Sequence, residues 1–264
     1  MLKGALHIHS TYSDGEFTLG ELREVYLSDG CRFACVTDHA EWFDEGRLES
    51  YTHECAALSD DRFQFIAGLE FPCFERMHIV GYGVTRLIDA LDPPVVIGHI
   101  EACGGVSVIA HPRNAHFEWI DRFDVLPQGV EVWNSKYDGR YAPRPGTFGL
   151  VRRLQARRPD LRAFYGQDLH WKTQYRGLIV QIDADAPTRD AVLGALRQGL
   201  FHGEKEGARL PSDGVLPETL LRDMERAHRR SDRLRAVLKT LKGAANRLGL
   251  HVPAGLKAHA RRVM

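Results

Sequence analysis

Nine side chains able to hold divalent cations are spread over the first 170 residues: His7, His9, Asp14, His39, Glu70, His78, His111, Asp168 and His170. They are six of the 13 histidines together with three carboxylates, and no cysteine stands among them. Imidazole and carboxylate donors without thiolate suit Zn(II), Mn(II) or Fe(II), and they disfavour a closed structural zinc site, which normally recruits cysteine. Nine donors exceed what one ion can use. A carboxylate such as Glu70 can bridge two ions about 3.5–4 Å apart, a spacing used for hydrolytic displacement. Taken alone, a strand-end histidine is more often a satisfied structural residue than a ligand. The conjunction points to a multinuclear hydrolase.

Ligands so far apart in sequence need elements that bring them together. Short β-rich runs recur at 5–9, 33–37, 63–69, 78–82, 106–110, 129–133, 162–166 and 178–182, with helical patterns between them at 18–28, 45–58, 95–103, 148–157 and 188–199. This alternation predicts a parallel α/β sheet or barrel. Metal-competent residues stand where the strands run out. His7 and His9 end the first, Asp38 and His39 the second, Glu70 the third, His111 the fifth, Asn134 the sixth, and Asp168 and His170 the seventh, while His78 opens the fourth. In a barrel the carboxyl ends of the strands share one face, so a single cluster is expected there. Strand alternation would also aim His7 with His9, and Asp168 with His170, to one side.

Composition narrows the class without naming a substrate. With 264 residues, 44% hydrophobic and 27% charged, the chain can bury its own core, and collagen-like, disordered and disulfide-framework readings are excluded. No apolar run approaches the roughly 18–20 residues of a membrane span. The start MLKGALHIHSTYSD meets charge and histidine before any secretory apolar region could form. Cys31, Cys35, Cys55, Cys73 and Cys103 make an odd set with no CxxC pair. They read as reduced filler, with Cys35 and Cys103 in apolar surroundings, and a cytoplasmic location is the expectation.

The order His7-x-His9-Ser10, Ser13-Asp14-Gly15, Thr37-Asp38-His39, Gly68-Leu69-Glu70, His78, His111-Pro112 and Gly166-x-Asp168-x-His170 resembles the PHP (polymerase and histidinol phosphatase) family over about residues 4–210. The resemblance implies a distorted (β/α)7 TIM-like barrel and two or three divalent metal ions (Mn, Zn or Fe). By position, His7, His9, Glu70 and Asp168 would hold the first ion, Glu70 with His78 and His111 the second, and Asp14, His39 and His170 the third. His99 and His116 are the alternatives to His78. The implied activity is a metal-dependent phosphoesterase that hydrolyses a small phosphomonoester, or a nucleotide or short-oligonucleotide phosphate ester, through a metal-bridging hydroxide. Two alternatives stay open: hydrolysis of a non-phosphate bond at the same centre, and a non-catalytic metal-binding module.

Beyond the ligands, Arg113 follows His111-Pro112 and is a candidate phosphate clamp, since guanidinium matches phosphate bidentately. Asn134 is a candidate for substrate or water. Asp38 could orient a metal-bound imidazole from behind or cap a turn. Trp133, Tyr137, Tyr141 and Trp171 offer rings for stacking, and Lys136, Arg140 and Arg144 offer cations in the loop 135–146.

Overall neutrality, 35 Lys+Arg against 35 Asp+Glu, conceals an asymmetry. Residues 215–264 hold 12 basic and 4 acidic side chains, a net +8, which leaves −8 on residues 1–214. The division expected is a metallohydrolase barrel at 1–212 and a basic helical C-terminal tail at 213–264. A basic helix suits nucleic acid, an anionic membrane surface or an acidic protein, or else a charged face packed on the acidic body. No aromatic follows Phe201, so a base-stacking platform is missing from the tail.

Overall fold

The computed structural model describes residues 1–138 and 143–247. Every strand expected from the sequence forms: β1 (Leu2–Ile8), β2 (Phe33–His39), β3 (Gln64–Pro72), β4 (His78–Tyr82), β5 (Val106–Ala110), β6 (Gly129–Asn134), β7 (Arg162–Gly166) and β8 (Leu178–Ile182). Two more, β9 (Phe201–Lys205) and β10 (Ala208–Pro211), follow. They are joined by Glu206 and Gly207, both with positive φ, the two-residue hairpin turn that such residues favour. The helices are α1 (Leu19–Ser28), α2 (Glu45–Ala57), α3 (Pro93–Ala102), the short α4 (Phe117–Ile120), α5 (Pro145–Gln155), α6 (Arg189–Gln198) and α7 (Glu218–Arg247). Their starts follow the local chemistry: a Thr18/Glu21 capping box opens α1, Asp44 caps α2 and Thr188 caps α6. Gly199, at φ 72, ends α6 in the left-handed conformation that glycine adopts without strain.

All ten strands lie in one sheet, ordered β10-β9-β8-β1-β2-β3-β4-β5-β6-β7. The sheet curls into a barrel. β8 takes the first half of one edge of β1, at Leu2–Gly4. The chain leaving β7 takes the second half of that edge, through Gln167 N–H to Leu6 O (2.9 Å), Leu169 N–H to His7 O (3.2 Å) and His9 N–H to Leu169 O (3.0 Å).

The sheet is mixed rather than parallel. β4 runs antiparallel to both β3 and β5, and β8 is antiparallel to β1. The physical reason is connection length: β3 and β4 are joined by a few residues with no crossover helix, and a short link permits only antiparallel pairing. This reversal matters for function, because the first residue of β4, His78, thereby lands on the rim where the parallel strands end. The core fills the barrel and the layer between strands and helices, with Leu6, Ile8, Val36, Leu69, Ile109, Val132 and Phe164 fully or almost fully buried.

Met224 of α7 is buried, and Leu220, Leu221 and Ala227 pack against the core, whereas Leu234, Val237 and Leu241 further along are exposed. The tail beyond 247, with Lys257, Arg261 and Arg262, lies outside the described residues. Cys31, Cys35, Cys55 and Cys73 are free and buried, but Cys103 caps α3 and is exposed, contrary to the apolar setting expected for it. Among the described residues no helix is long and apolar enough to cross a membrane.

Candidate metal centre

All nine sequence-derived donors meet at the rim. They form four overlapping groups, each with donor atoms within 4.8 Å of one another: His9, Asp14, His39 and His170; His7, His9 and Asp168; His7, Glu70 and His111; His39, Glu70 and His78. The groups do not separate into the three tidy sets that the resemblance implies. His39 belongs to two, its Nδ1 lying 3.3 Å from Glu70 Oε2 and its Nε2 3.6 Å from Asp14 Oδ1.

Glu70 is the hub. Its Oε1 is 3.0 Å from His78 Nδ1, 3.1 Å from His111 Nε2 and 3.4 Å from His7 Nε2, while its Oε2 is 3.3 Å from His9 Nε2. Asp168 Oδ1 lies 3.4 Å from His9 Nε2 and 3.1 Å from His170 Nδ1, and Asp14 Oδ1 lies 3.1 Å from His170 Nε2. Two donors bound to one ion at about 2.0–2.1 Å stand roughly 3.0–3.4 Å apart at octahedral or tetrahedral angles. The observed separations are of this size. Moreover His7 Nε2, His9 Nε2, His39 Nδ1 and Glu70 Oε2 are buried without a hydrogen-bond partner, an expensive condition unless a cation completes them. The donor set therefore fits divalent ions. Burial is graded, from a fully covered floor at His7 and His9 to Asp14, whose side chain is 41% exposed at the mouth.

Reaching this geometry strains the backbone. His7 (φ 60), His111 (φ 29) and Asp168 (φ 49) are non-glycine residues with positive φ. Such positions cost of order 1–3 kcal/mol each and persist where surrounding structure enforces them. Simple alternation is consequently not what pairs His7 with His9. The β1–β2 register shifts between Ala5 and Ile8, a bulge that re-aims His7, and Asp168 already lies beyond the end of β7.

The carboxylates set the protonation of the imidazoles. Burial opposes charge on His7, yet Glu131, Glu70 and Asp168 outweigh it and hold the His7 pKa well above the ordinary value. For His9 burial prevails, and its pKa falls to about 3. Burial also works against ionised Glu70 and Asp168, but the adjacent histidines keep both well below the usual carboxylate range.

Glu131 is the residue that sequence reasoning passed over. Buried in β6, it accepts from His7 Nδ1 at 2.9 Å through Oε1, and from His111 N–H and Asn134 Nδ2 at 2.8 Å each through Oε2. It thus keeps the Nδ1 proton and leaves Nε2, which faces Glu70, as the nitrogen that would ligate once a cation displaces its proton, an arrangement typical of metal-binding histidine. The available signal was a carboxylate between valines in an otherwise apolar strand.

The auxiliary candidates sort themselves. Asp38 does not contact the His39 ring; it accepts from Ser10 N–H (2.8 Å), Ser10 Oγ (2.8 Å) and Ser13 Oγ (2.7 Å), and so clamps the turn that carries Asp14. Burial pushes the Asp38 carboxyl upward against these hydrogen bonds. Asn134 is buried rather than open to substrate: its amide donates to Glu131 and to Asp168 Oδ2 (3.2 Å), and its oxygen accepts from the backbone of Lys136 and Tyr137. Arg113 is exposed and, among the described residues, forms no hydrogen bond or ion pair with the nine donors, lining a neighbouring surface pocket instead. Lys136 reaches the centre, with Nζ 3.3 Å from Asp168 Oδ1 and 3.0 Å from His170 Nε2. Tyr137 packs on the His111 ring at 4.7 Å and Trp171 beside His170 at 5.9 Å, whereas Trp133 is buried under Lys205. Arg144 is tied to Asp138 and to Pro112 O. His99 is exposed on α3, and His116 is buried outside the nine-donor cluster. Arg140 and Tyr141 lie outside the described residues.

A barrel-shaped α/β sheet whose rim gathers imidazoles and carboxylates around one bridging glutamate defines the class. No family model matches the chain. Over 77 residues it is 32% identical to the DNA polymerase/3'-5' exonuclease PolX of Bacillus subtilis (strain 168), which covers 26% of this chain and 14% of that protein's length. The fold is similar to a two-domain protein of Bacteroides vulgatus described as containing a predicted PHP-like metal-dependent phosphoesterase. That likeness has a TM-score of 0.56 and 15% identity, and covers 86% of this chain and 69% of the other. The structural likeness shows the fold, and the chain spans only a small part of its curated relative's length.

Proposed function

We propose that the protein is a metal-dependent phosphoesterase acting on a small phosphomonoester or a nucleotide-type phosphate ester. The observation that carries the reading is the convergence of nine N/O donors on Glu70 with four buried donor atoms left without protein partners. His7, His9, Glu70, Asp168, His78 and His111 would hold the inner ions, and Asp14, His39 and His170 a further ion at the mouth. Divalent ions held there would supply Lewis acidity toward water and toward a phosphoryl group.

The chain's own groups prepare this site. Glu131 holds His7 with its Nε2 toward Glu70, and Asn134 holds Asp168 from behind. Asp38 fixes the turn of Asp14. The Lys136 ammonium, at the edge of Asp168 and His170, is placed to meet a phosphoryl oxygen, and Tyr137 and Trp171 wall the approach. The division at 212/213 and a basic tail that meets nucleic acid, an anionic surface or an acidic protein belong to the same proposal, supported by the +8 and −8 charge split.

The test is phosphate release from a panel of phosphomonoesters and nucleotides by protein stripped with chelator and reloaded with Mn(II), Zn(II) or Fe(II). Metal-restored release that disappears in Asp168→Asn is the expected result. Bound metal with no release across the panel, or parental turnover in Asp168→Asn, would overturn the assignment.

A further inference from the structure

Beside the β4–β5 flank of the centre opens a surface pocket lined by Glu75, Arg76, Arg113, Ala115, His116 and Trp119. It adjoins the donors by construction. Arg76 precedes His78 by two residues and Arg113 follows His111 by two. His78 and Ala110 are register partners, and the His78 and His111 rings meet edge to face at 5.3 Å. Among the described residues neither arginine has a carboxylate within ion-pair distance, whereas Arg23, Arg153 and Arg158 elsewhere in the molecule do.

Two further features mark the pocket as built. Glu75 and Arg76 are consecutive non-glycine residues with φ 58 each, a conformation retained only where it has a use or is enforced. His116 is 8% exposed and its buried Nδ1 has no hydrogen-bond partner, while its ring lies edge to face with Trp119. Glu75 offsets one of the two guanidinium charges. The remaining excess of one positive charge suits a single additional anion rather than a long polyanion.

We propose that this pocket is a second substrate subsite, which binds an anionic group carried by the same small molecule whose phosphate ester lies at the metal centre. The proposal rests on the phosphoesterase reading and narrows it to doubly anionic substrates. Arg76 and Arg113 take the distal group, either a second phosphate or a carboxylate, and the His116–Trp119 wall bounds it.

The test is equilibrium binding to the metal-loaded full chain, read by calorimetry with ligands that cannot be hydrolysed. Propylphosphonate is compared with α,ω-alkanediphosphonates of three to six carbons and with the matching phosphonocarboxylates. A second anion should tighten binding by about tenfold or more at the best chain length, as one charge-assisted contact allows. The phosphonate and carboxylate arms show which anion is preferred. In Arg76→Ala/Arg113→Ala the ratio of doubly to singly anionic affinity should fall to about one, and Arg113→Lys should keep part of it. Circular dichroism checks that the strained loop has not unfolded the variant, and Arg113→Gln serves if it has. Singly anionic binding without any gain, or a gain that survives removal of both arginines, overturns the subsite alone. Failure of every phosphonate to bind, with no ester hydrolysed, overturns the subsite and the phosphoesterase reading together.

Discussion

Replacing Glu131 by Gln tests the link between a buried residue with no assigned ligand role and the metal centre. The change is nearly isosteric, but it removes the negative charge that most raises the His7 pKa and turns one of the two acceptor oxygens into a donor. In the parent both carboxylate oxygens accept: Oε1 from His7 Nδ1, and Oε2 from two fixed donors, His111 N–H and Asn134 Nδ2. A glutamine amide has one oxygen, and it must face the two fixed donors, since the reverse orientation would bring donor against donor twice. Its NH2 then meets His7 Nδ1, which has to accept. The His7 proton moves to Nε2, the atom that points at Glu70 and Asp168, and a protonated nitrogen cannot ligate. Outer partners of metal-bound histidine are worth about 10–100-fold in affinity, or roughly 1.4–2.7 kcal/mol, and a forced tautomer change belongs at the upper end. No cavity forms, so the metal-free protein should keep its fold. Competition titration against a chromophoric chelator gives the affinity, thermal unfolding in EDTA gives the fold, and the nitrogen chemical shifts of His7 report the tautomer. Parental metal affinity with a well-folded variant would refute the reasoning.

Gly166→Ala should be poorly tolerated, because a Cβ there would lie 1.7 Å from Glu131 Oε1 and 3.0 Å from His7 Cβ. Overpacking of this kind costs about 1–3 kcal/mol, read as a lower Tm in chelator, with weakened metal binding because Glu131 must shift. Asp38→Ala strands the buried Ser10 N–H and frees the turn bearing Asp14; a loss of about 1–3 kcal/mol is expected, together with fewer ions bound per chain by elemental analysis. In the stripped protein pH acts through His170. Burial opposes its charge, but hydrogen bonds to Asp14 and Asp168 lift its pKa from 6.5 to about 9. A raised imidazole pKa stabilises fully below 6.5, and that contribution is lost as pH climbs through about 9, up to ~3 kcal/mol. Metal affinity should rise over the same interval because the ligand proton must leave. Denaturation curves without metal that do not change between pH 6.5 and pH 9.5 would contradict this.

Local signals were strong where a side chain declares its use by type. Strand positions came from short β-rich runs, helix positions from the patterns between them, and the nine donors from imidazole and carboxylate at strand ends. Signals were weak where use depends on a neighbour distant in the chain. Asn134 looked available for substrate because its strand ends at the rim, but Glu131 and Asp168 occupy its amide. Asp38 could have oriented an imidazole or capped a turn, and only the backbone fold selects the turn of Ser10 and Ser13. The β9–β10 hairpin was missed because its residues are polar and its one marker is the Glu206-Gly207 turn.

From the sequence alone came the chemistry of the donor set, the alternation of strands and helices and the charge division between body and tail, since each depends on residue identity or on spacing within one element. Tertiary structure decided the rest. It reversed β4 so that His78 reaches the shared rim, bulged β1 at His7, drew Glu70 to the hub and set Glu131 behind His7. These arrangements depend on barrel closure between segments more than a hundred residues apart, such as Leu6–His9 against Gln167–Leu169, and no periodicity within a single element encodes them.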